Sequence, residues 1–137
     1  KGLLDGEQIE YDSLGNELSK GEFYNGKKEG SWFYHVGDHK EVGAFTGDYE
    51  DGVWNHYYKN GKLAFTGLYN EGEPKGKHIY YHKNGMRKLI GKYGGGLKNG
   101  IWKEYSEKGE LIETIQYRRG EIFKINGFKI NETKAVE

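Results

Sequence analysis

A motif anchored on glycine recurs along most of this chain at intervals of about 24 residues. In its clearest copy, Gly52 is followed by Trp54, Tyr57 and Gly61 at distances of two, five and nine residues. The copies begin at five glycines spaced by 24, 22, 24 and 24 residues, namely Gly6, Gly30, Gly52, Gly76 and Gly100. Repetition at such a short period indicates a protein built from small units, each of which packs mainly against its neighbours.

The repeat divides the chain into three parts. They are a lead-in over residues 1–5, five repeats over residues 6–123, and a C-terminal cap with a polar tail over residues 124–137. Residues 123–130 predict one last hairpin around Asn126-Gly127, which would close the end of the stack. The second repeat is two residues short, and its residues 36–39 predict a reshaped turn.

Each repeat contains two strand-like runs joined by a turn. In the third repeat the first run, residues 53–58, is rich in aromatic residues, which favour strands. The second run alternates so that four residues share one face, Leu63, Phe65, Gly67 and Tyr69. Asn60-Gly61 lies between the runs and predicts a type I′ turn, because that turn needs positive φ at both central residues.

The connectors between repeats are too short for a helix. Residues 27–29, for example, form a three-residue connector, whereas parallel strands need crossovers of about a dozen residues or more. The sequence therefore predicts an all-β fold, a single-layer elongated antiparallel meander of stacked β-hairpins with about 10–12 strands.

In four of the five repeats one glycine falls inside a predicted strand, where glycine packs poorly. We expect an aromatic ring to cover its bare backbone, with Trp54 or Tyr57 lying over Gly67. Ile115 takes this place in the last repeat, which indicates that no large ring needs the space there.

The repeated pattern G-x-W-x-x-Y-x-x-N-G-x-L-x-x-x-G-x-Y-x-x-G resembles the variant MORN repeat of bacterial proteins. The third repeat matches it at Gly52, Trp54, Tyr57, Asn60, Gly61, Leu63, Gly67, Tyr69 and Gly72. The resemblance implies stacked β-hairpins that serve as binding scaffolds, and some bacterial members are antitoxin components or exported repeat proteins. It implies no catalytic residues.

Several kinds of chemistry find no support in the residues. The formal charge is +0, which gives no general attraction to nucleic acid, and the absence of cysteine excludes thiolate metal sites. His35/His39 and His78/His82 are spaced by four residues, which places them ~13 Å apart along a strand rather than around a metal. Gly94-Gly95-Gly96 lacks the Gly-Lys-Ser/Thr of a phosphate loop and reads as a turn. We predict no enzyme activity, no cofactor and no metal site.

The aromatic residues are open to two interpretations, since they can form the core of the sheet or an exposed binding surface. The candidate partner-binding residues are Tyr11, Trp32, Trp54, Tyr57, Tyr81, Trp102 and Tyr105. On the surface, such rings could anchor a protein, stack on sugars or hold quaternary ammonium groups.

Three functions follow, in order of preference. The first is a protein-interaction scaffold, antitoxin-like by resemblance, whose partner is an unidentified protein or a second copy of the chain. The second is a cell-surface or carbohydrate-binding module that works by aromatic stacking. The third is lipid-surface binding, which a one-sided stripe of Lys and Arg would favour. The sequence leaves the compartment open between a bacterial cytoplasm and an exported or periplasmic location, and it leaves open whether a signal peptide preceded Lys1.

Overall fold

The computed structural model describes residues 2–129, which form one antiparallel sheet of twelve strands that follow each other in chain order. The strands are β1 (Gly6–Tyr11), β2 (Glu17–Tyr24), β3 (Lys27–Val36), β4 (His39–Thr46), β5 (Tyr49–Tyr57), β6 (Leu63–Asn70), β7 (Glu73–Tyr81), β8 (Arg87–Gly94), β9 (Leu97–Tyr105), β10 (Leu111–Arg118), β11 (Glu121–Ile125) and β12 (Phe128–Lys129). The described residues contain no helix. The prediction of a single-layer all-β meander is confirmed.

Two kinds of turn alternate along the sheet. Successive repeats are joined by two-residue turns whose central residues both have positive φ, which defines type I′. These pairs are Asn25-Gly26, Gly47-Asp48, Glu71-Gly72, Gly95-Gly96, Arg119-Gly120 and Asn126-Gly127. The last pair joins β11 to β12, so the predicted final hairpin is present, although Ile130 and the predicted polar tail lie outside the described residues.

The prediction of a type I′ turn at Asn60-Gly61 is wrong. The two strands of this repeat are joined by a five-residue loop, residues 58–62, in which the Tyr58 amide donates to the Lys62 carbonyl at 2.9 Å. Only Gly61 has positive φ, at 86°. The Asn60 side chain stabilises the wider loop instead, because its Oδ1 accepts a hydrogen bond from the Lys62 amide at 2.8 Å. Asn84-Gly85 follows the same pattern.

The short second repeat has a different turn. Val36 pairs with His39, so only Gly37 and Asp38 connect β3 to β4. Gly37 has a φ of 62°, and Asp38 is not among the residues with positive φ. The predicted reshaped turn is therefore confirmed, and β3 and β4 pair without a register shift from Gly30 to Val36.

The core is a row of rings that lie over strand glycines. Each ring covers a glycine of the preceding strand, in the pairs Trp32–Gly21, Trp54–Gly43, His78–Gly67 and Trp102–Gly91. The expectation of ring-covered glycines is confirmed, but the assignment of Trp54 or Tyr57 to Gly67 is wrong. The reason is a bulge, since residues 52–54 lie opposite the single residue Gly43, so that Trp54 covers β4. In the last repeat Ile115 lies between Trp102 on β9 and Ile125 on β11, so its partner on the following strand is aliphatic.

Alternation along the strands gives the sheet two faces. We call the side that carries Trp32, Trp54, His78 and Trp102 the core face. There, edge-to-face contacts link the row to tyrosine and phenylalanine rings, such as Tyr93 to Trp102 at 5.2 Å. We call the opposite side the open face, because the row of rings over strand glycines lies on the core face.

Candidate interaction surface

The three tryptophans are core residues. Trp32, Trp54 and Trp102 are only 4%, 4% and 3% exposed. Each indole Nε1 donates a hydrogen bond to a carbonyl of the preceding strand, at 3.0 to 3.1 Å. The aromatic residues were predicted to form either the core of the sheet or an exposed binding surface. These three belong to the core and present little surface to a partner.

His78 takes the place of tryptophan in the fourth repeat and reproduces its contacts. Its side chain is 1% exposed, and its Nε2 lies 2.9 Å from the Leu68 carbonyl, to which it donates as an indole would. The rings of Tyr69 and Tyr93 pack against it at 5.2 and 4.8 Å. Burial lowers the pKa of His78 and so favours the neutral ring. Within residues 2–129, no three His, Asp or Glu side chains come together as a metal-binding group.

The four candidate tyrosines lie near the ends of the first strands of their repeats. By alternation from the core-face residues, Tyr57, Tyr81 and Tyr105 point to the open face. Their cross-strand partners are Leu63, Arg87 and Leu111. Tyr11 has the equivalent place in the first repeat and is 56% exposed. The structure thus places four of the seven candidates, these three and Tyr11, on the open face, and their role in binding stays a prediction.

Aliphatic residues form the centre of the open face. Ile79 pairs with Ile90 across β7 and β8, and Thr66 extends this row on β6. Val53 and Ile101, which are 56% and 53% exposed, lie on the same face. Side chains of this kind in contact with solvent mark a surface that gains from being covered.

A cluster of cations surrounds this apolar centre on β7, β8 and β9. We call it the basic groove, a depression of about 350 Å³ lined by Lys77, Arg87, Ile90, Gly91, Lys92, Ile101, Lys103 and Tyr105. No carboxylate lines it. At the other end of the sheet, by contrast, Lys20 lies 4.0 Å from Glu7. Although the whole chain has a formal charge of +0, this part of the open face is strongly positive.

Sequence reasoning missed the basic groove because its residues fall between the repeated positions. Lys77 follows its repeat glycine by one residue, where the third and fifth repeats have Val53 and Ile101. Lys103 belongs to the next repeat and becomes a neighbour of Ile90 only through the strand register. These cations could be found from the sequence by comparing the non-repeated positions of neighbouring predicted strands.

The fold and this surface define a single-sheet repeat protein with a row of packed rings on one face and an apolar centre with cations on the other. A family model described as MORN repeat variant matches residues 50–71 and 98–119, in the third and fifth repeats. These two segments are MORN repeats of the variant type, as the sequence pattern predicted, and the other three repeats form hairpins in the same sheet. Repeats of this family are generally non-catalytic. No curated protein matches the chain. The part of the chain that the structure describes contains no helix long and apolar enough to cross a membrane.

Proposed function

We propose that this chain is a non-enzymatic repeat scaffold that binds a protein partner through the open face of its sheet. The observation that carries the proposal is the composition of that face, an apolar centre at Ile79, Ile90 and Ile101 with a cationic rim. Protein interfaces commonly combine an apolar centre with a polar rim and are enriched in tyrosine and arginine. Tyr105 and Arg87 supply both residue types at the basic groove.

The partner has two candidate identities. The resemblance to bacterial variant MORN proteins favours an antitoxin-like role, in which the partner is a toxin protein that the open face covers. A homodimer is the other form, in which two open faces pack together. In either form the apolar centre becomes buried, so substitutions there will weaken binding more than substitutions at distant exposed sites.

The test is a titration with a purified partner, obtained by affinity capture and then reconstituted. Ile101→Glu places a charge in the apolar centre, and we expect it to weaken binding by at least about tenfold. Leu3→Glu is the control, because Leu3 is similarly exposed, at 60% against 53%, but lies in the lead-in before β1. Circular dichroism should show both variants folded. Equal affinities for wild type and Ile101→Glu would contradict the proposal.

Lipid-surface binding is a second candidate, favoured by the one-sided charge of the basic groove. Lys77, Lys92 and Lys103 could contact anionic headgroups, with about 1 kcal/mol from each. Co-sedimentation with phosphatidylserine vesicles, lost on Lys92→Glu and absent with phosphatidylcholine vesicles, would support it. The carbohydrate alternative needs a flat exposed array of rings, and burial of the three tryptophans leaves it without a specific observation.

A further inference from the structure

The five-residue loops of the third, fourth and fifth repeats are bonded to one another along one edge of the sheet. Asn60 Nδ2 donates to the Lys83 carbonyl at 3.0 Å, and Asn84 Nδ2 donates to the Glu107 carbonyl at 2.9 Å. A second bond repeats as well, from Tyr58 Oη to the Tyr81 carbonyl and from His82 Nε2 to the Tyr105 carbonyl. The loops of the third and fourth repeats therefore each give two side-chain donors to the repeat that follows, one to a carbonyl of its loop and one to the last carbonyl of its first strand.

The second repeat interrupts this ladder of loops because it lacks two residues. Its turn contains only Gly37 and Asp38 and does not reach the loop of the third repeat in the same way. The third-repeat carbonyls equivalent to those of Tyr81 and Lys83 belong to Tyr57 and Lys59. Tyr57 pairs with Lys40 of β4 in the sheet, and within residues 2–129 no side chain and no turn amide donates to the Lys59 carbonyl.

A groove of about 700 Å³ lies at this interruption, and we call it the loop groove. Its lining residues are His35, Gly37, Asp38, Lys40, Val42, Tyr57, Tyr58, Lys59 and Gly61. Lys40 and Lys59 give it positive charge, against the single carboxylate of Asp38. The Tyr58 ring is held in the groove wall by the His39 ring, at 5.6 Å.

We propose that the loop groove receives a short acidic segment of the protein partner, which takes the place that a five-residue loop occupies elsewhere in the ladder. A side-chain amide or hydroxyl of the segment donates to the Lys59 carbonyl, and its carboxylates meet Lys40 and Lys59. The Lys59 carbonyl, an acceptor without a donor within residues 2–129, favours a polypeptide over a simple anion, and the two lysines favour an acidic sequence. This inference rests on the proposed scaffold function and adds the point at which a partner segment inserts.

A cyclic peptide provides the probe. Its loop reads Tyr-Glu-Asn-Gly-Glu, which is the sequence of residues 58–62 with both lysines exchanged for glutamate. The control peptide keeps the two lysines. By fluorescence anisotropy, we expect the acidic peptide to bind wild type at least about tenfold more tightly than the control, and Lys40→Glu/Lys59→Glu to reverse this preference.

A loop-restored variant gives the decisive comparison. Replacing residues 36–38 with the five-residue sequence of residues 58–62 makes the second repeat 24 residues long. The new loop should fill the groove, so the protein should melt at an equal or higher temperature while affinity for the acidic peptide falls by at least about tenfold. This combination separates a blocked site from a damaged fold.

Three results would overturn the inference. The first is no binding of the acidic peptide to wild type. The second is unchanged binding of that peptide by the folded loop-restored variant. The third is full competition by free glutamate supplied at the same carboxylate concentration as the peptide. The last would identify a simple anion site. If Ile101→Glu abolishes partner binding but the loop-restored variant keeps it, the scaffold function stands and only the loop groove is excluded.

Discussion

Neighbouring residues on β9 show how differently the two faces of the sheet are used. Trp102 is 3% exposed on the core face, whereas Ile101 is 53% exposed on the open face. The position of Trp102 holds an aromatic ring in four repeats, as Trp32, Trp54, His78 and Trp102, while the position of Ile101 varies freely from Val53 to Lys77. The repeat pattern thus describes the core face, and the open face is left to differ from one repeat to the next.

Removal of a core ring should have the largest effect on stability. Trp102→Ala leaves a cavity over Gly91 and removes the ring contacts with Tyr93 and Tyr117. It also removes the hydrogen-bond donor to the Lys92 carbonyl. We expect the free energy of unfolding to fall by about 3–5 kcal/mol. Urea unfolding followed by circular dichroism measures it. A loss below about 1 kcal/mol would mean that the core face does not hold the sheet together.

Filling a ring-covered glycine should have the next largest effect. A Cβ atom on Gly91 would overlap the Trp102 ring, so we expect Gly91→Ala to lower the free energy of unfolding by about 1–3 kcal/mol. Gly94→Ala is a matched control on the same strand, because its added Cβ would lie 3.6 Å from Asn99 Nδ2, an ordinary contact. Thermal melts of the two variants should differ clearly, and equal melting temperatures would contradict the close packing of ring on backbone.

The histidine of the core row should make stability depend on pH. Burial lowers the pKa of His78 in the folded chain, so the unfolded chain binds a proton first as the pH falls. Stability is therefore fully present above the ordinary histidine pKa of 6.5 and decreases below it. The pKa of His56 is also lowered, chiefly by burial, against the attraction of Glu41.

The slope of stability against pH isolates His78. His78→Phe leaves the Leu68 carbonyl without its donor and should be less stable at every pH, but its loss of stability from about pH 7.5 to about pH 5 should be smaller than that of wild type. Trp102→Phe, the equivalent substitution in the fifth repeat, removes no titratable group and should keep the wild-type slope. Equal slopes for wild type and His78→Phe would exclude the buried neutral ring.

The sequence was sufficient for the fold because the fold depends on local and periodic signals. Short connectors require antiparallel neighbours, and the glycine spacing fixes the repeat, so the strand order could be predicted. The turn at Asn60-Gly61 could not, because its geometry depends on the bond between the Asn60 side chain and the Lys62 amide. The ring over Gly67 was also misassigned, since a bulge decides which adjacent strand supplies it.

The candidate site was harder to predict than the fold. The aromatic residues of a repeat look alike in sequence, yet Trp54 is buried while Tyr57 lines a groove. The basic groove depends on cations from three strands, and the loop groove depends on two residues that the second repeat lacks. Both grooves arise from residues that differ between repeats. A pattern built from the residues that all repeats share does not contain them.

The smallest effect on stability should come from the open face. Ile101→Thr keeps a β-branched side chain in the strand and removes apolar surface that is already half exposed, so we expect the free energy of unfolding to change by no more than about 0.5 kcal/mol. The same urea experiment as for Trp102→Ala measures it. Because the two residues are adjacent on β9, a large loss for Ile101→Thr would show that something covers the open face in the isolated chain, for example a second copy. Dilution would then lower the melting temperature, since the stability of a self-associated chain depends on its concentration.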